Sequence, residues 1–201
     1  MGRDKALLPH PEGGTWLERQ LRLLASLGAP LTLLSRWPAH LEQASALDAP
    51  LAALGVELEL LREPGDDARA EAPRGPLVAL DRLMEAHPNE RLLLCPIDMP
   101  ALTPACLRAL LEAANTAPDA IWITTASQPP SRPQPLLGLY PSDTRHRQSL
   151  REALARGERG LQRWLAGEVV RSVALPAAAL ATVNTPQELA NWRAALTPPP
   201  D

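Results

Sequence analysis

Arg91-Leu92-Leu93-Leu94-Cys95-Pro96-Ile97-Asp98-Met99-Pro100 is the stretch whose reading decides the fold. Leu92 to Cys95 is an apolar run of strand length with no polar alternation, the pattern of a strand covered on both faces, as in a parallel sheet. Asp98 follows just past the strand's carboxyl end, where open α/β sheets bind their ligands. Pro96 and Pro100 fix φ on either side of it and remove two backbone donors. A carboxylate on so stiff a loop suits a magnesium ligand or a general base. A turn aspartate that bonds its own backbone has the same local signature, and this stretch alone does not separate the two.

Outward from that strand, helical and extended patterns alternate. Thr15 with Glu18 three residues on is a capping box, followed by Leu17, Leu21, Leu24 and Leu27 at helical spacing and a stop at Gly28. Leu31 to Leu34 reads as a buried strand, residues 38–47 as a weaker helix, and Val56 to Leu60 as a half-exposed strand. A long loop, 63–76, carries Pro64, Gly65, Asp66, Asp67, Pro73, Gly75 and Pro76; loops of this length inside a compact domain are usually functional or mobile. Leu77, Leu80 and Met84 mark the next helix. Thr103 caps another, with Pro104 at its first position, where a missing N–H costs nothing. Ile121 to Thr125 and Leu136 to Tyr140 read as strands on either side of a Pro-rich loop. A helix over about 144–155, a turn near 161–165 and a strand near 169–173 follow. Thr185-Pro186-Gln187-Glu188 announces the last helix. Such alternation predicts a three-layer α/β fold with a mostly parallel sheet. A single domain over 1–197 is expected, with 198–201 as a disordered tail.

The 201 residues suffice for one α/β domain, and 45% hydrophobic residues argue against wholesale disorder. A formal net charge of −3 provides no basic field for nucleic acid or an anionic membrane, so a polyanionic ligand must be met by a local site. Cys95 and Cys106 form neither a disulfide framework nor a zinc spacing, and Cys95 reads as a buried thiol. No stretch has the length of a membrane span and no signal peptide opens the chain; a cytoplasmic protein is expected. Lys5 is the sole lysine among 20 basic residues, which singles it out.

Four stretches, in order, resemble the molybdenum cofactor guanylyltransferases and their MobA-like nucleotidyltransferase relatives. They are Met1-Gly2-Arg3-Asp4-Lys5-Ala6-Leu7-Leu8, Arg74-Gly75-Pro76-Leu77, Cys95-Pro96-Ile97-Asp98-Met99-Pro100 and Val183-Asn184-Thr185-Pro186-Gln187-Glu188-Leu189. Arg132-Pro133-Gln134-Pro135-Leu136 is similar to the family's loop before a late strand. The resemblance spans essentially the whole chain. It implies a doubly wound, Rossmann-like fold of the nucleotide-diphospho-sugar transferase kind, and transfer of GMP from GTP to the terminal phosphate of molybdopterin with release of pyrophosphate. GTP and molybdopterin would be the small-molecule substrates, Mg²⁺ the cofactor, and molybdoenzymes or their chaperones candidate partners. A relative using CTP or a small phosphorylated acceptor is the alternative within this chemistry. A non-catalytic MobA-like binding protein is the alternative outside it.

By the same resemblance, Lys5 contacts the nucleotide phosphates as a compact point charge, and Asp98 binds magnesium, which takes few protein carboxylates and leaves its other positions to phosphate and water. Gly75 lets the backbone approach the nucleotide, or is an ordinary turn glycine. Asn184 faces the metal or the acceptor phosphate, or is a turn residue. Arg132 reads as an exposed loop arginine or as an acceptor contact. The acid that recognises guanine has no single counterpart: Glu63 aligns by strand context, and Asp66 and Asp67 are nearer to Gly75. Where the family has Ala-Gly after Gly-Pro-Leu, this chain has Val78-Ala79, and Thr182 stands where an Asn or Asp often precedes the Asn-Thr-Pro segment.

The largest departure is at the start. The family's first strand and its Leu-Ala-Gly-Gly loop, whose backbone N–H groups cradle phosphate, precede the segment in which Met1 already lies. The resemblance implies a translation start upstream of Met1. A chain beginning at Met1 is expected to leave neighbouring strands without a pairing partner, to be weakly stable and to catalyse little. The intact mass of the native protein separates the two cases.

Overall fold

The computed structural model describes residues 4–11, 13–63, 75–129 and 131–196. Within them, helix α1 (Trp16–Ala25) is followed by β1 (Leu31–Ser35), α2 (Pro38–Ser45), α3 (Asp48–Ala52) and β2 (Leu58–Arg62). Then come α4 (Pro76–Ala86), β3 (Arg91–Leu94), α5 (Pro104–Ala114), β4 (Ile121–Ala126) and β5 (Pro133–Pro141). The described chain ends with α6 (Thr144–Ala155), α7 (Leu161–Leu165), β6 (Val170–Leu175) and α8 (Pro186–Leu196). Met1 to Arg3, Arg74, Asp66, Asp67 and the expected tail lie outside the described residues.

The caps form as their sequences dictate. Glu18 N–H donates to Thr15 Oγ1 at 3.2 Å while Thr15 N–H donates back to Glu18 Oε2 at 3.3 Å. The two remaining free donors of the first turn of α1 are used too: Trp16 N–H reaches the Leu8 carbonyl at 3.1 Å and Leu17 N–H the Ala6 carbonyl at 3.0 Å. A helix start normally leaves such donors to water or to a ligand; here they clamp the segment that carries Lys5.

The strands form two sheets. β1 and β2 pair in parallel, Leu31 opposite Leu58 through Ser35 opposite Arg62. The second sheet has the order β3-β5-β4-β6. β4 and β6 are parallel, whereas β5 runs antiparallel to both of its neighbours. The α/β class holds, with β5 as its exception. The Pro-rich segment expected as a loop contributes the start of β5: Pro133 and Gln134 pair with Thr125 and Thr124 after a register shift at Ile123/Thr124. Proline is tolerated beside such an irregularity because no ladder donor is required there. Gly138 is obligatory at that crossing, since a Cβ would stand 2.6 Å from the Trp122 carbonyl oxygen.

The second sheet is the middle of three layers. Leu92 and Leu94 pack with Ile121, Ile123 and Tyr140 against α4, α6 and α7. Leu93 faces the other way, toward α5, with Trp122 and Leu139. Leu77, Leu80 and Met84 of α4 are fully buried, each contributing on the order of 1.5–3 kcal/mol by removal from water. The first sheet builds its own core with Leu17, Leu21 and Ala25 of α1, Ala44 of α2 and Leu51 of α3. Helix α1 ties the two halves together, because Leu24 packs against this core and against the one holding Met99, Leu102 and Leu107.

β3 differs from its sequence reading. It is partly rather than fully buried, and its one partner is antiparallel. The reason lies alongside it. Between β1 and β3 runs a slot of about 400 Å³, lined by residues 31–34 of one strand and 91–95 of the other, with Leu21, Leu24 and Leu27 of α1. No strand among the described residues pairs with the slot-facing edge of either. The amino end of the slot is bridged by His87, at the end of α4, whose Nε2 lies 2.8 Å from Thr32 Oγ1 and 3.3 Å from Glu59 Oε2.

Candidate active site at the carboxyl edge

The site collects at the opposite end of the slot. β3 ends at Leu94, and the loop beyond it is pinned at three points. Gln20, buried on α1, donates from Nε2 to the Pro96 carbonyl at 2.9 Å and to Cys95 Sγ at 2.8 Å. Val183 N–H donates to the Asp98 carbonyl at 3.0 Å, and Met99 is buried beneath. With two prolines added, this loop holds the Asp98 side chain at the sheet edge, where it is a quarter exposed, 26%. Burial pushes the Cys95 thiol up to about 12, against the smaller opposing effect of the Gln20 bond. It stays protonated, although by exposure the side chain is half-buried and not fully buried as its sequence reading has it.

Three residues far apart in sequence meet here. Lys5 Nζ lies 3.8 Å from Asp98 Oδ2 and donates to Asn184 Oδ1. Asn184 Nδ2 in turn donates to Thr182 Oγ1 at 3.0 Å. The second capping box holds Asn184 from behind: Glu188 Oε2 accepts Asn184 N–H at 2.5 Å and Thr185 N–H at 2.9 Å, while Glu188 N–H donates to Thr185 Oγ1 at 3.1 Å. The Asn184 and Thr185 amides hold the exposed Glu188 carboxyl below the usual range. The start of α8 is thus tied to the site, and Arg193 adds a bond from its guanidinium to the Pro9 carbonyl at 3.2 Å.

Glu63 lies apart from this trio, just past β2 on the same edge as the end of β1. Its N–H donates to the Ser35 carbonyl at 3.0 Å and its carboxylate pairs with Arg36 at 3.2 Å. Gly75 heads α4 at φ 136°, where a Cβ would stand 2.8 Å from the Arg159 carbonyl oxygen. The close approach seen at Gly75 is therefore to the chain's own backbone, which supplies a structural reason for the glycine. Arg132 is exposed ahead of β5.

Asp4, Ser35 and His40 were not singled out from sequence, yet they border the site. His40 Nε2 lies 2.6 Å from Asp4 Oδ2, and its Nδ1 lies 2.9 Å from Ser35 Oγ. The available signal was positional: Ser35 closes an apolar strand at the edge where ligands bind. Among the described residues, no three His, Cys, Asp or Glu side chains converge as a metal-holding group, and no helix is long and apolar enough to cross a membrane.

The chain matches the family model of the MobA-like NTP transferase domain over residues 1–173. It is 33% identical over 195 residues to a probable molybdenum cofactor guanylyltransferase of Rhodopirellula baltica, covering 94% of this chain and 83% of that protein. Among solved structures, it is similar to molybdopterin-guanine dinucleotide biosynthesis protein A of Archaeoglobus fulgidus, with a TM-score of 0.68, 17% identity and coverage of 94% and 89% of the two chains. It is similar also to 4-diphosphocytidyl-2C-methyl-D-erythritol synthase of Anaerococcus prevotii, with a TM-score of 0.71, 12% identity and coverage of 96% and 94%. At these identities the structural matches speak to the fold alone, an α/β architecture.

Proposed function

The chain belongs to the MobA-like NTP transferase family and is a nucleotidyltransferase, and from that premise we propose that it transfers GMP from GTP to the terminal phosphate of molybdopterin. An acceptor phosphate oxygen attacks the α-phosphorus, the bond from the α-phosphorus to the bridging oxygen breaks, and pyrophosphate leaves with that oxygen. Nucleotidyl transfer of this kind depends on positioning and charge neutralisation more than on covalent chemistry by the protein.

The observation that carries the reading is the meeting of Lys5, Asp98 and Asn184 at the carboxyl edge. The Lys5 ammonium is held between two oxygen-bearing side chains, ready to exchange them for phosphate oxygens. Asp98 offers one hard carboxylate oxygen on a fixed loop, a donor set that suits Mg²⁺ arriving on a triphosphate rather than a metal caged by protein. Asp98 would hold the ion, which when bound stabilises charge on the departing pyrophosphate. Asn184, beside Lys5, would take the metal or the acceptor phosphate. Glu63 is the described carboxylate proposed to accept the two N–H donors of the guanine edge, with Arg36 balancing its charge until the base arrives.

Titration of GTP, CTP and ATP with Mg²⁺ against the wild type, Lys5→Ala and Asp98→Ala tests the assignment. GTP is expected to bind best, and each variant to lose about 10-fold or more in affinity, the equivalent of one charge-assisted contact. Unchanged affinity in both variants would remove the proposed site. A preference for CTP would keep the reaction class and replace the base.

A further inference from the structure

An unbroken line of hydrogen bonds runs from the end of β1 to the segment that carries Lys5. Trp37 N–H donates to Ser35 Oγ at 3.2 Å, Ser35 Oγ lies 2.9 Å from His40 Nδ1, and His40 Nε2 lies 2.6 Å from Asp4 Oδ2. Asp4 Oδ1 accepts Ala6 N–H at 3.0 Å. The tautomer with its proton on Nε2 uses every group: the Ser35 hydroxyl donates to Nδ1 while accepting from Trp37, and Nε2–H donates to the carboxylate. Ser35 is buried and the His40 side chain is only 14% exposed, so most of the line is shielded from water that would compete for its bonds.

We propose that His40 is a positioning residue for Lys5, fixing Asp4 and with it the loop from which the lysine reaches its ligand. The proposal rests on the reading of Lys5 as a phosphate-binding group. Its physical basis is the division of charge in Asp4-Lys5. A carboxylate adjacent in sequence to the lysine is a ready competitor for its ammonium. Here both oxygens of Asp4 are already used, one by Ala6 N–H and one by His40. The ammonium turns instead to Asn184 and Asp98. The loop is held from the other side by α1, through Leu17 N–H on the Ala6 carbonyl. Lys5 therefore sits between two anchors, and α1 supplies only one. Removing His40 frees Asp4 to swing toward Lys5, which lowers the charge offered to a polyphosphate and adds the cost of ordering the loop on binding.

The test titrates GTP with Mg²⁺ against wild type, Lys5→Ala, His40→Ala, His40→Gln and Ser35→Ala, reading affinity together with kcat and KM. Melting temperatures run in parallel, since simple destabilisation lowers Tm without changing the affinity of the folded fraction. The glutamine amide can donate to Asp4 while its oxygen accepts from Ser35. The expected pattern is a loss of about 10-fold in affinity for His40→Ala, expressed in KM more than in kcat, recovery to within about 3-fold in His40→Gln, and a smaller loss in Ser35→Ala. Weak binding by Lys5→Ala with wild-type binding by His40→Ala would overturn the positioning role and leave the phosphate site standing. Equal losses in His40→Ala and His40→Gln would also overturn it, since the bond to Asp4 would not be what matters. Unchanged binding by Lys5→Ala removes the reading on which the proposal rests, and the proposal with it.

Discussion

Single residues at the carboxyl edge are over-determined, and their neighbours show how. Asp98 is held by the bonds that fix its backbone and by the burial of Met99 beside it. It bridges to Lys5 and faces Asn184 through that lysine. Gly75 is a different case. Its φ of 136° and the Arg159 carbonyl, 2.8 Å from a would-be Cβ, both forbid a side chain. Gly75→Ala is expected to cost about 1–3 kcal/mol from strained backbone and crowding. Gly160→Ala, where φ is ordinary and nothing lies within 4 Å of the new Cβ, is expected to leave Tm almost unmoved. Comparable melting of the two variants would show that the crowding at Gly75 is not real. The pairing of Lys5 with Asn184, and of Asp4 with His40, was beyond the reach of sequence reading, because nothing local in either partner specifies the other across 179 or 36 residues.

At the scale of elements, the helix starts were the most legible features, since a cap is local chemistry within one turn. Thr15 with Glu18 and Thr185 with Glu188 both close as capping boxes. β5 was the least legible. Its prolines argue for a loop, and only the pairing of Pro133 and Gln134 with β4 across a register shift makes them strand. The box on α8 carries a pH dependence. Glu188 is held below its ordinary value by the Asn184 and Thr185 amides. A carboxylate depressed in the folded state contributes its stability in full above the unfolded value, about 4.3 for Glu, and loses it as pH falls through the lower folded value. Acidification through that range is expected to loosen the start of α8 and, with it, the hold on Asn184. Glu188→Gln should show a flatter dependence of Tm on pH below about 4.5. An acid limb identical to wild type would place the dependence in another carboxylate.

Across the whole molecule, the dominant feature is the division of the strands into two sheets by the slot beside β3. Alternating apolar strands and helices make the three layers legible, but not this opening, which depends on what lies between β1 and β3 in space. Backbone N–H and C=O groups on the facing edges have no strand to pair with among the described residues, an unfavourable arrangement in an apolar setting. An added N-terminal segment of five to six β-branched residues, about the length of β1, joined to Met1 through a short glycine linker, is expected to enter parallel to both strands. Each net kcal/mol gained should raise Tm by roughly 2–4 °C at this chain length. The same segment with prolines at alternate positions should give no rise, and equal melting of the two extended chains would rule out strand insertion. The slot is bridged by His87 and Thr32 at one end and bordered by the Lys5 contacts at the other. Open strand edges ordinarily invite sheet growth between molecules, copy upon copy. These two edges border one gap, so a single strand that paired with both would complete the sheet and leave no free edge there for a second copy.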